Sequence, residues 1–179
     1  MLVWFLTALL VLGAALSPGV TRAAVPVRPS VLRDSVPGPV ASGLARSVGP
    51  LPGQSMMRVV IGLREPPATA EARLLAQLQN RTSPLFHRFL TASPWNERFA
   101  PSAAAQQVVT SWLAGHGITV TGTYSDRLVI DTAAPAAAYA EAFGIVIDRF
   151  RLGARSFYAP SRPAVLPASI GPIVECHRA

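Results

Sequence analysis

The run from Ser102 to Tyr124 constrains the fold more than any other stretch. Ala105, Val108, Val109, Trp112 and Leu113 fall at i, i+3, i+4, i+7 and i+8, which makes one apolar helical face. Ser102 stands where a side-chain oxygen closes the first turn, and Gly115 and Gly117 stand where a helix ends. Directly afterwards Ile118, Val120 and Tyr124 alternate with Thr119, Thr121 and Thr123, the period-two signature of a strand. A helix and a strand thus adjoin across a short turn.

The same alternation of periods recurs along the chain. Met57–Leu63 reads as a first strand, closed by Glu65-Pro66-Pro67. Ala70–Gln79 reads as a helix with Leu74, Leu75 and Leu78 on one face, and Ser125-Asp126-Arg127 turns the chain into a strand over Leu128–Ile130. Pro135 opens a further helix with Ala138, Tyr139, Ala142 and Phe143 inward, and Gly144 stops it. Ile145–Leu152 is the expected fourth strand, with a return at Phe157-Tyr158 after the Gly153-Ala154 turn. A β-α-β-β-α-β core is contained in that order. The expected fold class is therefore α+β, a ferredoxin-like split βαβ antiparallel sandwich.

Flanking segments read differently. Leu2–Leu16 is apolar apart from Thr7, too short for a membrane helix. Ser17-Pro18-Gly19 breaks it and Thr21-Arg22-Ala23 offers small residues at a cleavage position, so residues 1–23 read as a signal peptide and the product as exported and secreted. The basic residue usual before such a run is missing. Residues 24–55 are rich in Pro and Gly without periodicity and read as a disordered leader. The folded domain is expected over 56–163, with an extended C-terminal tail over 164–179.

Charge and chemistry-bearing residues narrow the function. Sixteen basic residues, all Arg, against nine acidic ones give a net charge of +7. The arginines are scattered singly, which argues for solvated surface and against nucleic acid. The lone cysteine, Cys176, excludes an internal disulfide framework. His87, His116 and His177 are not at metal-ligand spacing, so no metal or cofactor site is assigned. Ser83 lies four residues before His87, but no nucleophile elbow, phosphate loop or dinucleotide fingerprint is present. The imidazole of His87 is expected to be bonded to backbone or a carboxylate, and His116 to cap its helix. Glu65, Glu71, Glu97, Asp126, Asp131, Glu141, Asp148 and Glu175 are dispersed and form no acid–base pair. Asn80-Arg81-Thr82 is a formal glycosylation sequon, read as accidental. Trp95, Phe99, Trp112, Phe143 and Phe150 have the spacing of packing residues. No catalytic, cofactor-binding or metal residue is assigned, and the chain is read as non-enzymatic.

A family resemblance runs through these pieces. Ser83-Pro84-Leu85-Phe86-His87-Arg88-Phe89-Leu90-Thr91 resembles a Ser-Pro-x-Tyr/Phe-His-x-Phe-Leu-Thr run in pro-segments of the sedolisin (kumamolisin-type, serine-carboxyl) peptidases. Its own residues read as a turn of helix, with Pro84 at the first position, Ser83 as cap and Leu85, Phe86, Phe89 and Leu90 on one face. Phe99-Ala100-Pro101-Ser102, Val109–Val120, Ala140–Gly144, Ser156–Pro160 and Val165–Ile170 are similar to further family segments in the same order. The resemblance implies the antiparallel sandwich and a pro-kumamolisin activation domain that chaperones or inhibits a sedolisin-type catalytic domain, its sheet packed on that domain and its tail along the cleft. No residue matches the family's Ser-Glu-Asp triad or calcium ligands. The implied partner is thus a sedolisin-type peptidase, with no nucleic acid, no stable membrane association after signal removal, and a monomeric free state. A truncated remnant without activity and a secreted adaptor domain are the alternative readings.

Overall fold

A computed structural model describes residues 28–175. The expected signal peptide, Cys176 and His177 lie outside the described residues.

Strand β1 (Ser30–Leu32), a short helix α1 (Gly38–Ala41) and strand β2 (Arg46–Pro50) precede the first expected element. Then come β3 (Met56–Leu63), α2 (Thr69–Gln79), α3 (Ala92–Phe99) and α4 (Ala103–Gly115). They are followed by β4 (Thr119–Thr123), β5 (Val129–Pro135) and α5 (Ala136–Ala142). The chain closes with β6 (Ile147–Leu152), β7 (Arg155–Pro160), β8 (Ala164–Leu166) and β9 (Val174–Glu175).

A four-stranded sheet in the order β4-β5-β3-β9 carries the core. β5 runs antiparallel to both β3 and β4, so it splits a parallel pair joined by helices. This is the expected α+β split βαβ arrangement, with one substitution. The fourth place is taken by β9, antiparallel to β3 through Leu63↔Val174 and Gly62↔Glu175. The expected fourth strand, β6, instead joins β2 and β7 in a separate three-stranded sheet. Gly144, with φ +58°, turns the chain away from the first sheet after α5.

Helices α4 and α5 supply the layer over the four-stranded sheet. Val109 and Leu113 on α4 and Tyr139 on α5 are buried against Ile61, Leu63 and Ile130. Ser102 Oγ accepts from Ala105 N at 3.1 Å, the expected cap. The hydroxyl of Thr132, a buried polar residue, donates to Val59 O at 2.6 Å and sits 2.8 Å from the Tyr139 hydroxyl, pinning α5 to the sheet. Val108 and Leu75 are 43% and 40% exposed, so the inward stripes of α4 and α2 are narrower than the sequence implies.

Two boundaries change. Within the segment read as disordered leader, β1 pairs with β8 and β2 with β6, while Ala45 is buried against Phe150 and Ala159. Both are edge strands, where prolines and a bulge at Gly49 are tolerated. A strand bonded on one side and burying few residues leaves no period to read. Residues 164–175 are likewise no free tail. Leu166, Ile170 and Val174 are 0%, 1% and 3% exposed, and anchor the segment in the core. Arg64 N donates to Ile173 O at 2.7 Å.

Candidate partner-binding surface

The residues weighed for chemistry occupy separate places and structural roles. Ser83 Oγ accepts from Leu85 N at 3.1 Å, while the His87 ring stacks on Phe86 at 3.8 Å between centroids. His87 has φ +53°, which stops the Ser83 turn from winding into the expected helix. Its ring stacks instead of making the expected hydrogen bond, and Phe89 is 72% exposed instead of inward. His116 follows the last residue of α4, with Nδ1 2.8 Å from Trp112 O. A carbonyl only accepts, so Nδ1 carries the proton and the ring caps the helix, as expected. Asp126 Oδ1 accepts from Leu128 N in the expected turn, and Asn80 Oδ1 accepts from both N and Oγ1 of Thr82. Among the described residues no three His, Cys, Asp or Glu side chains stand where they could hold a metal ion. Phe143 and Phe150 are buried, whereas Trp95, Phe99 and Trp112 are half-buried.

What the fold does present is an open sheet face. Strand periodicity puts Met57, Val59, Ile61 and Leu63 under the helices and turns Met56, Arg58 and Val60 the other way. Met56 and Val60 are 69% and 61% exposed, and no element among the described residues covers them. Asp131 lies opposite Val60 on the same face. Tyr124 donates to Asp131 Oδ2 at 2.6 Å, and the bond raises the Tyr124 phenol above its ordinary value. Gly122 makes room for this carboxylate, since a Cβ there would stand 3.1 Å from Asp131 Oδ2.

Beside the face, a cavity of about 430 Å³ runs between β3 and the three-stranded sheet. It is lined mainly by carbon, with Met57, Ile61, Val60 and Gly62 on one side and Tyr158 and Ala159 on the other. It exists because β9 matches only the last two residues of β3, leaving the strand's edge toward Met57 without a neighbour among the described residues. An open apolar face beside an unmatched strand edge has the chemistry of a protein-docking surface.

The family model for the pro-kumamolisin activation domain matches residues 45–176. The chain belongs to the pro-kumamolisin activation domain family. The match takes in every strand from β2 to β9, so it includes β2 and the β8–β9 segment that the sequence had placed outside the domain. Xanthomonalisin from Xanthomonas sp. (strain T-22) is 35% identical over 115 residues, which is 64% of this chain and 14% of that protein. Sedolisin from Pseudomonas sp. (strain 101) is 32% identical over 136 residues, 73% of this chain and 23% of that protein. The chain thus spans less than a quarter of either relative. An activation domain is a propeptide region of sedolisin-type peptidases and not their catalytic part.

Proposed function

We propose that this activation domain binds the catalytic domain of a sedolisin-type peptidase, assisting its folding and inhibiting it. The open face of the four-stranded sheet around Met56 and Val60 carries this reading: two large apolar side chains in the middle of a folded domain are left bare. Burying them against a partner is favourable by roughly 25 cal/mol per Å² of apolar surface. The reading includes export directed by residues 1–23 and a monomeric free state. No helix among the described residues is long and apolar enough to cross a membrane.

Titrating the chain into a mature sedolisin-type peptidase tests it. Stoichiometric inhibition is expected. Val60→Arg is expected to leave the fold intact, because Asp131 stands opposite, and to weaken inhibition at least tenfold, about 1.4 kcal/mol. Full inhibition by that variant, or no inhibition of any such peptidase by the wild type, would overturn the proposal.

A further inference from the structure

The second sheet has a face that the proposed docking role does not use. Registers place Arg46 on β2 directly opposite Arg151 on β6, with Arg149 two residues along and therefore on the same side. Ser156 and Tyr158 on β7 lie opposite Arg151 and Arg149. All five side chains are exposed. The other side of this sheet is closed by Phe150 and Ala159 packed on Ala45. Asp148, next to Arg149 along the strand, points to that closed side. Across the strands the three arginines face one another, Gly49, Ser156 and Tyr158, and no carboxylate. Two like charges directly opposite on neighbouring strands destabilise a sheet, so this arrangement gains when an anion is placed between them.

We propose that the Arg46–Arg149–Arg151 face is an interaction surface for a carboxylate-bearing stretch of polypeptide. The spacing fits that partner. Residues i and i+2 of an extended chain lie about 6.6 Å apart on one side, which matches the offset between Arg149 and Arg151. Guanidinium groups take carboxylates through paired hydrogen bonds. Tyr158, 51% exposed, adds a ring at the border with the apolar cavity. Three arginines on a three-stranded sheet are few for the phosphate track of a nucleic acid.

A short labelled peptide of alternating Glu and Ser is the probe, followed by fluorescence anisotropy on the full chain. Binding is expected at low ionic strength and should weaken about tenfold or more on going to physiological salt. Replacing Arg46, Arg149 and Arg151 together by Gln should abolish it. Replacing Arg73, Arg81 and Arg88, exposed arginines elsewhere, by Gln removes the same net charge and should leave binding within about twofold. Circular dichroism checks that both variants fold. Absence of peptide binding by the wild type, equal loss in both triple variants, or tighter binding of duplex DNA than of the peptide would each overturn the proposal.

Discussion

Replacing Thr132 by Val removes one hydroxyl at the point where α5 meets the sheet. Thr132 is 1% exposed and Tyr139 2%, so water cannot stand in for what is lost. The substitution deletes the 2.6 Å bond to Val59 O, about 1 kcal/mol, and strands the Tyr139 hydroxyl, about 1–3 kcal/mol more. The expected cost is roughly 2–4 kcal/mol, a fall in Tm of about 5–15 °C for a domain of this size. Urea unfolding of wild type, Thr132→Val, Tyr139→Phe and the double variant measures it. Removing the stranded hydroxyl should repair part of the damage, so Thr132→Val/Tyr139→Phe should be more stable than Thr132→Val alone. A cost below about 0.5 kcal/mol for Thr132→Val, or a double variant less stable than that single one, would refute the role given to this pair.

Burial holds the Tyr139 phenol above its ordinary value of 10.0, against the smaller opposing effect of its bond with Thr132. The folded state keeps that proton longer than the unfolded chain, so this stability is full below pH about 10 and declines as pH rises further. Alkaline unfolding monitored by circular dichroism should therefore be delayed in Tyr139→Phe relative to its own neutral-pH stability. Ile170→Ala should cost about 2–5 kcal/mol in urea unfolding, a loss that a free tail would not show. A Cβ at Gly171 would stand 2.2 Å from Ser30 Cβ and Oγ. Gly171→Ala should lower Tm, and Ser30→Gly in the same chain should restore part of it.

Elements with a buried stripe were legible in the sequence. The α4–β4 unit, β3 and α5 announce themselves because each buries one face and exposes the other. Sequence also showed that His116 caps a helix, since a histidine after the last turn has a carbonyl within reach. The path of the chain between sheets was not legible. β6 has a strand's pattern whichever sheet it joins. β9 contributes two residues to its sheet, too few for any period. Conformation at His87 was hidden as well, because a non-glycine residue at positive φ is held by its surroundings: its N–H donates to Leu78 O at 3.1 Å. The open face was readable in principle. Met56 and Val60 alternate with Met57, Val59 and Ile61, so β3 is apolar on both sides, and a strand covered on only one side has apolar groups to spare.

The closures made by β8 and β9 have a consequence for how the molecule assembles. Ser30 must find Leu166, and Leu63 must find Val174, across almost the whole length of the domain. Contacts so distant in sequence demand that the intervening chain be ordered first, and domains ruled by them fold in milliseconds to seconds instead of microseconds. In that interval β1 and the end of β3 at Gly62 and Leu63 wait without a partner, free to bond to a neighbouring chain. The stretch from Ala164 to Glu175 therefore acts as the latch of the domain, and the time it takes to arrive sets the period during which aggregation competes with folding.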